Sequence, residues 1–315
     1  MAACNTAFVF PGQGSQSVGM GKELCRDFLQ ARRIFDEADE ALGISLSRLC
    51  FDGPEADLKL TENTQPAVLT MSIAALRVVE SETDLHPAWV AGHSLGEYSA
   101  LVAVGAIAFA NAVKIVRERG RLMQQAVPAG EGAMAVILGL EMEAVRELCA
   151  DASQGDVVSP ANFNGGGQVV IAGAKNAVAR AIISARERGA KRAVELPVSA
   201  PFHCQLMRPA AEGLAGVLSA VAIRPFSVGV ITNVEADINL SADRVKPLLV
   251  EQAVQPVRWE ESIKRLVQLG CERGLEIGPG KVLKGLIKRI APGMEVETFE
   301  GPQDLARLQT AWAKR

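Results

Sequence analysis

Trp89-Val-Ala-Gly92-His93-Ser94-Leu95-Gly96-Glu97 joins a short apolar run to a helical pattern through the spacing G-x-S-x-G. In that context the motif reads as a strand ending in a sharp turn, with the serine at its apex and a helix beginning at once. Glycines two residues before and two after the serine relieve the crowding of such a turn and let its hydroxyl project. The start of the helix beside it favours developing negative charge. Ser94-Leu-Gly-Glu97 also fits the S-x-x-E capping box, which would make the serine a helix cap and nothing more. A capping box, however, has no need of glycines on both sides.

Outward from this stretch the same α/β texture continues. Apolar runs ending in Gly or Pro stand at 7–10, 89–91, 228–231 and 275–277, the last followed by Gly278-Pro-Gly280. Between them helical periodicity covers 21–42, 67–80, 95–126 with a break near Gly105, and 260–269. Short buried strands alternating with helices predict a parallel sheet. The segment 129–197 differs: strand 133–138, helix 141–152, strands 157–163 and 168–173, helix 174–188, strand 192–196. That order, βαββαβ, is the ferredoxin-like arrangement. Asn164-Gly-Gly-Gly167 between two of its strands predicts a hairpin, because such turns take residues that tolerate positive φ. The spacing therefore predicts a small unit, 129–197, inserted between the two parts, 1–128 and 198–315, of a larger α/β unit.

The 315 residues are 49% hydrophobic and 22% charged, which gives a sizeable core and excludes a disordered or low-complexity chain. A net charge of −3 carries no global footprint for nucleic acid or anionic lipid, so neither a nucleic-acid nor a membrane partner is expected. The longest uncharged stretch, 98–113, is shorter than the roughly 20 apolar residues of a membrane span. Neither a signal nor a transit peptide is legible at the start of the sequence. The six cysteines, at 4, 25, 50, 149, 204 and 271, show no C-x-x-C spacing, so reduced thiols in a cytoplasmic protein are expected.

A serine attacks acyl groups when a base takes its proton, and the chain has three histidines, His86, His93 and His203. His93 adjoins the serine on a sharp turn, where its side chain diverges, and His86 precedes Pro87 in a loop-like segment. His203, in Pro201-Phe-His203, remains by elimination, with a histidine merely satisfied in a turn as the alternative. Phe10-Pro-Gly-Gln-Gly-Ser-Gln16 follows the first strand, and its glycines would let a backbone amide face a bound oxygen. Ser17 breaks the dinucleotide spacing there, and Gln16 and Glu23 break the P-loop spacing, so a tight turn is the remaining alternative. Arg117-Glu-Arg119-Gly-Arg121 offers guanidinium forks suited to a carboxylate, though charged runs on helices are usually solvated faces and nothing local selects among the three.

Taken together, the motifs resemble, from one end of the chain to the other, the malonyl-CoA:acyl carrier protein transacylase family of bacterial fatty-acid synthesis. They include Phe10–Gln16, Thr64-Gln-Pro-Ala67, Gly92–Glu97, Arg119-Gly, Ala161-Asn-Phe-Asn164, Gln168-Val-Val-Ile-Ala-Gly173, Pro201-Phe-His203, Asn233 and Gly278-Pro-Gly-Lys281. The resemblance implies an α/β-hydrolase-like core carrying a ferredoxin-like insertion. It further implies that Ser94 is the nucleophile that becomes malonylated and that His203 is the base, oriented by the main-chain carbonyl of Gln252. The amides of Gln13 and Leu95 would form the oxyanion hole, Arg119 would bind the malonyl carboxylate, and Phe202 would crowd out a branched acyl group such as methylmalonyl.

Malonyl-CoA and an acyl carrier protein are then the partners, with ping-pong kinetics, a monomer, and no metal or nucleotide cofactor expected. Carrier proteins are typically acidic, so Lys281, Lys284 and Lys288, spaced i, i+3, i+7, are candidates for docking one, with a solvated face as the alternative. An acyltransferase of polyketide assembly and a serine hydrolase or thioesterase are the rival readings, the second disfavoured by Arg119 and by the inserted unit.

Overall fold

β1 (Thr6–Phe10) is buried at every residue, as the central strand of a parallel sheet must be. Phe8 and Phe10 pack into one hydrophobic cluster and Ala7 and Val9 into another, which is the alternation of a strand covered on both faces. In the computed structural model, which describes residues 5–198 and 200–313, the chain continues through β2 (Trp89–Gly92), β3 (Gly132–Leu138), β4 (Val158–Gly165) and β5 (Gln168–Ala174). It then forms β6 (Arg192–Glu195), β7 (Gly229–Ile231), β8 (Ile238–Asn239), β9 (Arg273–Ile277) and β10 (Glu295–Phe299). One sheet runs β10-β9-β1-β2-β7-β8, parallel throughout except for antiparallel β8. The other runs β4-β5-β3-β6 and is antiparallel. The α/β class read from the sequence is therefore the observed one.

The second sheet has two different faces. Ala133, Ala135 and Ile137 of β3 pack with Val145, Leu148, Val178 and Ala181 of the two helices between its strands. Met134 instead joins Ala161, Val170 and Ala172, and this face packs with Cys204, Phe202 and Leu206 from the chain beyond β6. The Gly165–Gly167 turn takes positive φ at all three glycines, the hairpin that its composition predicts. The edge strand β4 is tied to the segment before the helix Trp259–Gln268 by Phe163 N–H to Val257 O (2.9 Å) and Val257 N–H to Ala161 O (2.8 Å). The inner face of the second sheet thus forms one wall of a space whose other walls are turns and helices that follow strands of the first.

Several elements differ from their sequence-based expectation. The helix expected over 21–42 is two, Lys22–Asp27 and Leu29–Leu42, with Phe28 extended between them. No Gly or Pro marks that break; Arg32 stabilises it by donating from its guanidinium to the freed Cys25 carbonyl. The helix expected from 67 begins at Thr61 and runs to Glu82, with Pro66 inside it. Pro66 stands in the second turn, where it forfeits the backbone bond to the Glu62 carbonyl. The stretch 98–113 divides between the helices Leu95–Ala103 and Phe109–Gln125, Gly105 standing between them with φ 75°. Among the described residues no helix is long and apolar enough to cross a membrane. Cys25, Cys50, Cys149, Cys204 and Cys271 are buried; Cys4 and Ser199 lie outside the described residues.

Candidate active site

The turn after β2 needs its glycines because two backbones meet there. A Cβ on Gly92 would lie 1.9 Å from the carbonyl carbon of Gly96, and one on Gly96 would lie 2.1 Å from the Phe10 oxygen. Ser94 takes φ 52° and ψ −106°, a conformation that costs about 1–3 kcal/mol and persists only where the surroundings hold it. Here they do. Ser94 N–H donates to Asn233 Oδ1 (2.7 Å), Asn233 Nδ2 donates to the Gly92 carbonyl (2.7 Å), and Gln252 Nε2 donates to the Ser94 carbonyl (3.0 Å). The capping-box alternative is excluded, because the Ser94 side chain makes no cap bond. The Glu97 carboxylate turns inward instead and accepts Asn233 N–H (3.0 Å) and Gln252 Nε2 (2.7 Å).

Ser94 Oγ lies 2.7 Å from His203 Nε2. His203 also has positive φ, 61°, and its Nδ1 sits 2.8 Å from the main-chain oxygen of Gln252. A carbonyl only accepts, so Nδ1 carries the proton and Nε2 is left to accept from the serine. Burial, followed by the charge of Arg119, pushes the imidazole pKa down to about 3, so the ring is neutral and ready as a base near neutral pH. His93 diverges as its position on the turn predicts: Nε2 meets Asn164 Oδ1 at 2.9 Å and the ring packs on Trp259. His86 is exposed.

Of the three arginines on the helix Phe109–Gln125, the fold selects one. Arg121 is bound to Glu118 and Gln125 on the surface, and Arg117 stands apart from the serine's contacts, whereas Arg119 is 2% exposed. Its Nη1 donates to Gln65 Oε1 (2.7 Å) and its Nη2 to Gln252 Oε1 (3.0 Å) and to Ser94 Oγ (3.1 Å). The guanidinium also lies over the Tyr98 ring at 5.4 Å. Among the described residues no carboxylate forms an ion pair with it. A buried guanidinium without an anion is costly, and the arrangement suits a ligand that brings one.

These groups open into a cavity of about 150 Å³ against the second sheet, lined by Gln13, Gln65, Ser94, Leu95, Arg119 and His203, with Phe202 on its wall and Met134 and Asn162 from that sheet. Leu95 is the first residue of its helix, so its N–H is a free donor at a positive helix end. All seven site residues expected from the sequence are thus brought together, Gln252 through its main chain and, beyond expectation, through its side chain. Sequence reasoning did not assign Gln65, Asn233 or Glu97, although each stands inside a quoted motif. The three lysines are less uniform than expected. Lys281 precedes the helix Val282–Ile290 as its N-cap, Lys284 is 3.6 Å from Glu297, and Lys288 is exposed in the last turn. Among the described residues no group of three or more His, Cys, Asp or Glu gathers to hold a metal.

A family model described as an acyl transferase domain matches residues 7–299. The malonyl CoA-acyl carrier protein transacylase of Bacillus subtilis is 50% identical over 300 residues, 95% of this chain and 94% of that one. Among solved structures, an acyl carrier protein S-malonyltransferase from Vibrio cholerae superposes with a TM-score of 0.95 at 49% identity, covering 96% of this chain and 99% of that one. A malonyl-transacylase solved in complex with its type II polyketide acyl carrier protein also superposes with a TM-score of 0.95, at 45% identity, covering 97% and 99%.

Proposed function

The chain belongs to the malonyl-CoA:acyl carrier protein transacylase family of acyl transferases, and from that premise we propose how its residues carry a malonyl group from coenzyme A to the phosphopantetheine thiol of an acyl carrier protein. The observation that carries the reading is one shared oxygen. Ser94 Oγ lies within hydrogen-bond reach of both a neutral imidazole and a buried guanidinium.

His203 Nε2 accepts the Ser94 proton as Oγ attacks the thioester carbonyl. The carbonyl electron pair moves onto oxygen, where the N–H groups of Leu95 and Gln13 stabilise it. The Gln252 carbonyl accepts the Nδ1–H of the resulting imidazolium. The oxyanion then collapses, the C–S bond breaks, and His203 returns the proton to the departing coenzyme A sulfur. In the second half the carrier thiol gives its proton to His203 and attacks the serine ester, and the proton returns to Oγ. Throughout, Arg119 pairs with the free malonyl carboxylate, leaving Ser94 Oγ to do so. Two thioesters of similar energy make the exchange reversible, and the covalent intermediate makes it ping-pong. These steps draw only on side chains, main-chain amides and the two substrates.

Phe202, half-buried on the cavity wall, disfavours a branched α-carbon in this reading. Residues 129–197 act as a subdomain between 1–128 and 198–315 that closes one wall over the acyl group. Lys281 and Lys288 offer exposed positive charge to an acidic carrier, while Lys284 is partly occupied by Glu297. A cytoplasmic monomer supplying fatty-acid synthesis completes the reading. A polyketide carrier is the second reading, favoured by the solved complex.

The test is intact mass after exposure to malonyl-CoA without carrier, for wild type, Ser94→Ala and Arg119→Ala, with acetyl-CoA as control donor. A malonyl adduct on wild type, absent from Ser94→Ala and reduced in Arg119→Ala, is expected. No adduct from either donor on folded protein overturns the reading. Equal malonyl and acetyl adducts remove Arg119 as the source of selectivity. Offering fatty-acid and polyketide carriers to the loaded enzyme separates the two carrier readings.

A further inference from the structure

Glu97 has no place in the steps above, yet it is 2% exposed and lies at the centre of the site's hydrogen bonds. Its Oε2 accepts from the main-chain N–H of Asn233 and from Nε2 of Gln252. Both partners act directly on the reacting groups. Asn233 holds the Ser94 amide and the Gly92 carbonyl. Gln252 bonds to the Ser94 carbonyl through Nε2, to Arg119 through Oε1 and to His203 through its main-chain oxygen. The amide of Gln252 is nearly symmetric in shape, and what fixes its orientation is the chemistry at each end. An ionised carboxylate only accepts, so it calls for the –NH₂ of Gln252, which leaves Oε1 to face the Arg119 donors.

We propose that Glu97 is a positioning residue for malonyl transfer: its negative charge fixes the orientation of the Gln252 amide, and through it the placement of Arg119, Ser94 and His203. The inference rests on the transfer reading given above. A neutral carboxyl or a carboxamide at this position carries hydrogens of its own. Both bonds end on one oxygen, Oε2, so such a group keeps them only in the orientation that sets its hydrogens in the place of Oε1; turned the other way it presents a donor to the Gln252 –NH₂, and an amide turned over to meet it sets –NH₂ against the guanidinium.

The charge state of Glu97 adds a second line of support. Burial raises its carboxyl to about 7, against the lowering effects of the Asn233 N–H, the Gln252 amide and the Arg119 charge, and with Glu235 raising it further. The charged and titratable groups facing it are Arg119 from the helix Phe109–Gln125, Tyr98 on its own helix, and Glu235 from the segment after β7. Glu97 is therefore charged above neutrality and loses its charge below it. Bound malonyl cancels the influence of Arg119, so the group titrates at higher pH in the loaded enzyme than in the free one.

The experiment measures malonyl-serine formation by rapid quench and mass, as a function of pH and malonyl-CoA concentration, for wild type and Glu97→Gln. Wild-type kcat/KM is expected to fall as pH drops through neutrality, and kcat to fall at a higher pH. Glu97→Gln is expected to lose both limbs and to run at all pH on the order of 10- to 100-fold below the alkaline wild-type rate, the range typical of losing an outer partner that orients a working group. A folded Glu97→Gln with wild-type rates and limbs overturns the proposal. So does a wild-type profile that is flat through neutrality, a result that needs no variant to fold. Failure of wild type to acquire malonyl at any pH instead overturns the transfer reading itself.

Discussion

Asn233→Ala tests whether the strained serine is held from outside its own turn. The substitution removes two bonds of 2.7 Å, one accepted from the Ser94 amide and one donated to the Gly92 carbonyl, and a longer one of 3.3 Å from Gln252 Nε2, which keeps its other partners, at a residue that is 1% exposed. Each buried polar group left without a partner costs about 1–3 kcal/mol. Gly92 is buried, whereas Ser94 is half-buried and borders the cavity, so its loss is the smaller. The two losses together come to about 2–4 kcal/mol. Part of this is returned if Ser94 relaxes out of its positive-φ conformation, which stores about 1–3 kcal/mol. That relaxation moves Oγ away from His203 Nε2, and a displacement of about 1 Å at a reacting atom costs on the order of 100-fold in rate. The variant should therefore lose about 2 kcal/mol of stability in urea, at unchanged m, and about two orders of magnitude in malonyl-serine formation. A folded variant within about 0.5 kcal/mol of wild type and acylated at the wild-type rate would refute the reasoning. Lost stability with an undiminished rate would show that Asn233 supports the fold but not the strain.

Three further outcomes are expected. Gly92→Ala brings a methyl group to 1.9 Å from main-chain carbon of Gly96, so soluble yield and thermal melting should show a loss above about 4 kcal/mol, whereas Gly216→Ala, which meets nothing within 4 Å, should gain about 0.4–1 kcal/mol. Phe202→Ala opens the cavity wall, and the methylmalonyl-to-malonyl ratio of kcat/KM should rise roughly 10- to 100-fold, the worth of about one methylene; an unchanged ratio assigns that selectivity elsewhere. Burial pushes Cys25, Cys50 and Cys149 up to about 12 and Cys204 up to about 11, so these thiols should react with an aromatic disulfide reagent at mildly alkaline pH only after unfolding. Their labelling in the native protein would contradict their burial.

The features legible from the residues alone are local in their physics. The G-x-S-x-G turn follows from the spacing of two glycines that no side chain can replace, and the Gly165–Gly167 hairpin from residues that accept positive φ. The parallel sheet and the βαββαβ order follow from periodicity within short windows. The seven expected site residues were legible because each stands in a motif with its own spacing or its own resemblance.

Tertiary structure decided the rest. The break at Phe28 has no local signal and is supported by a guanidinium from the next helix. Nothing in Arg117-Glu-Arg119-Gly-Arg121 distinguishes the arginine that reaches Ser94 Oγ. Glu97 reads as a helix cap in sequence, but its carboxylate turns to partners 136 and 155 residues away. A hydrogen bond between residues so distant leaves no trace in the spacing of either, because closing that distance is the work of the whole sheet. The sequence names the reactive groups; only the packed chain decides which polar atoms remain to be satisfied beside them, and so which charges the site must balance.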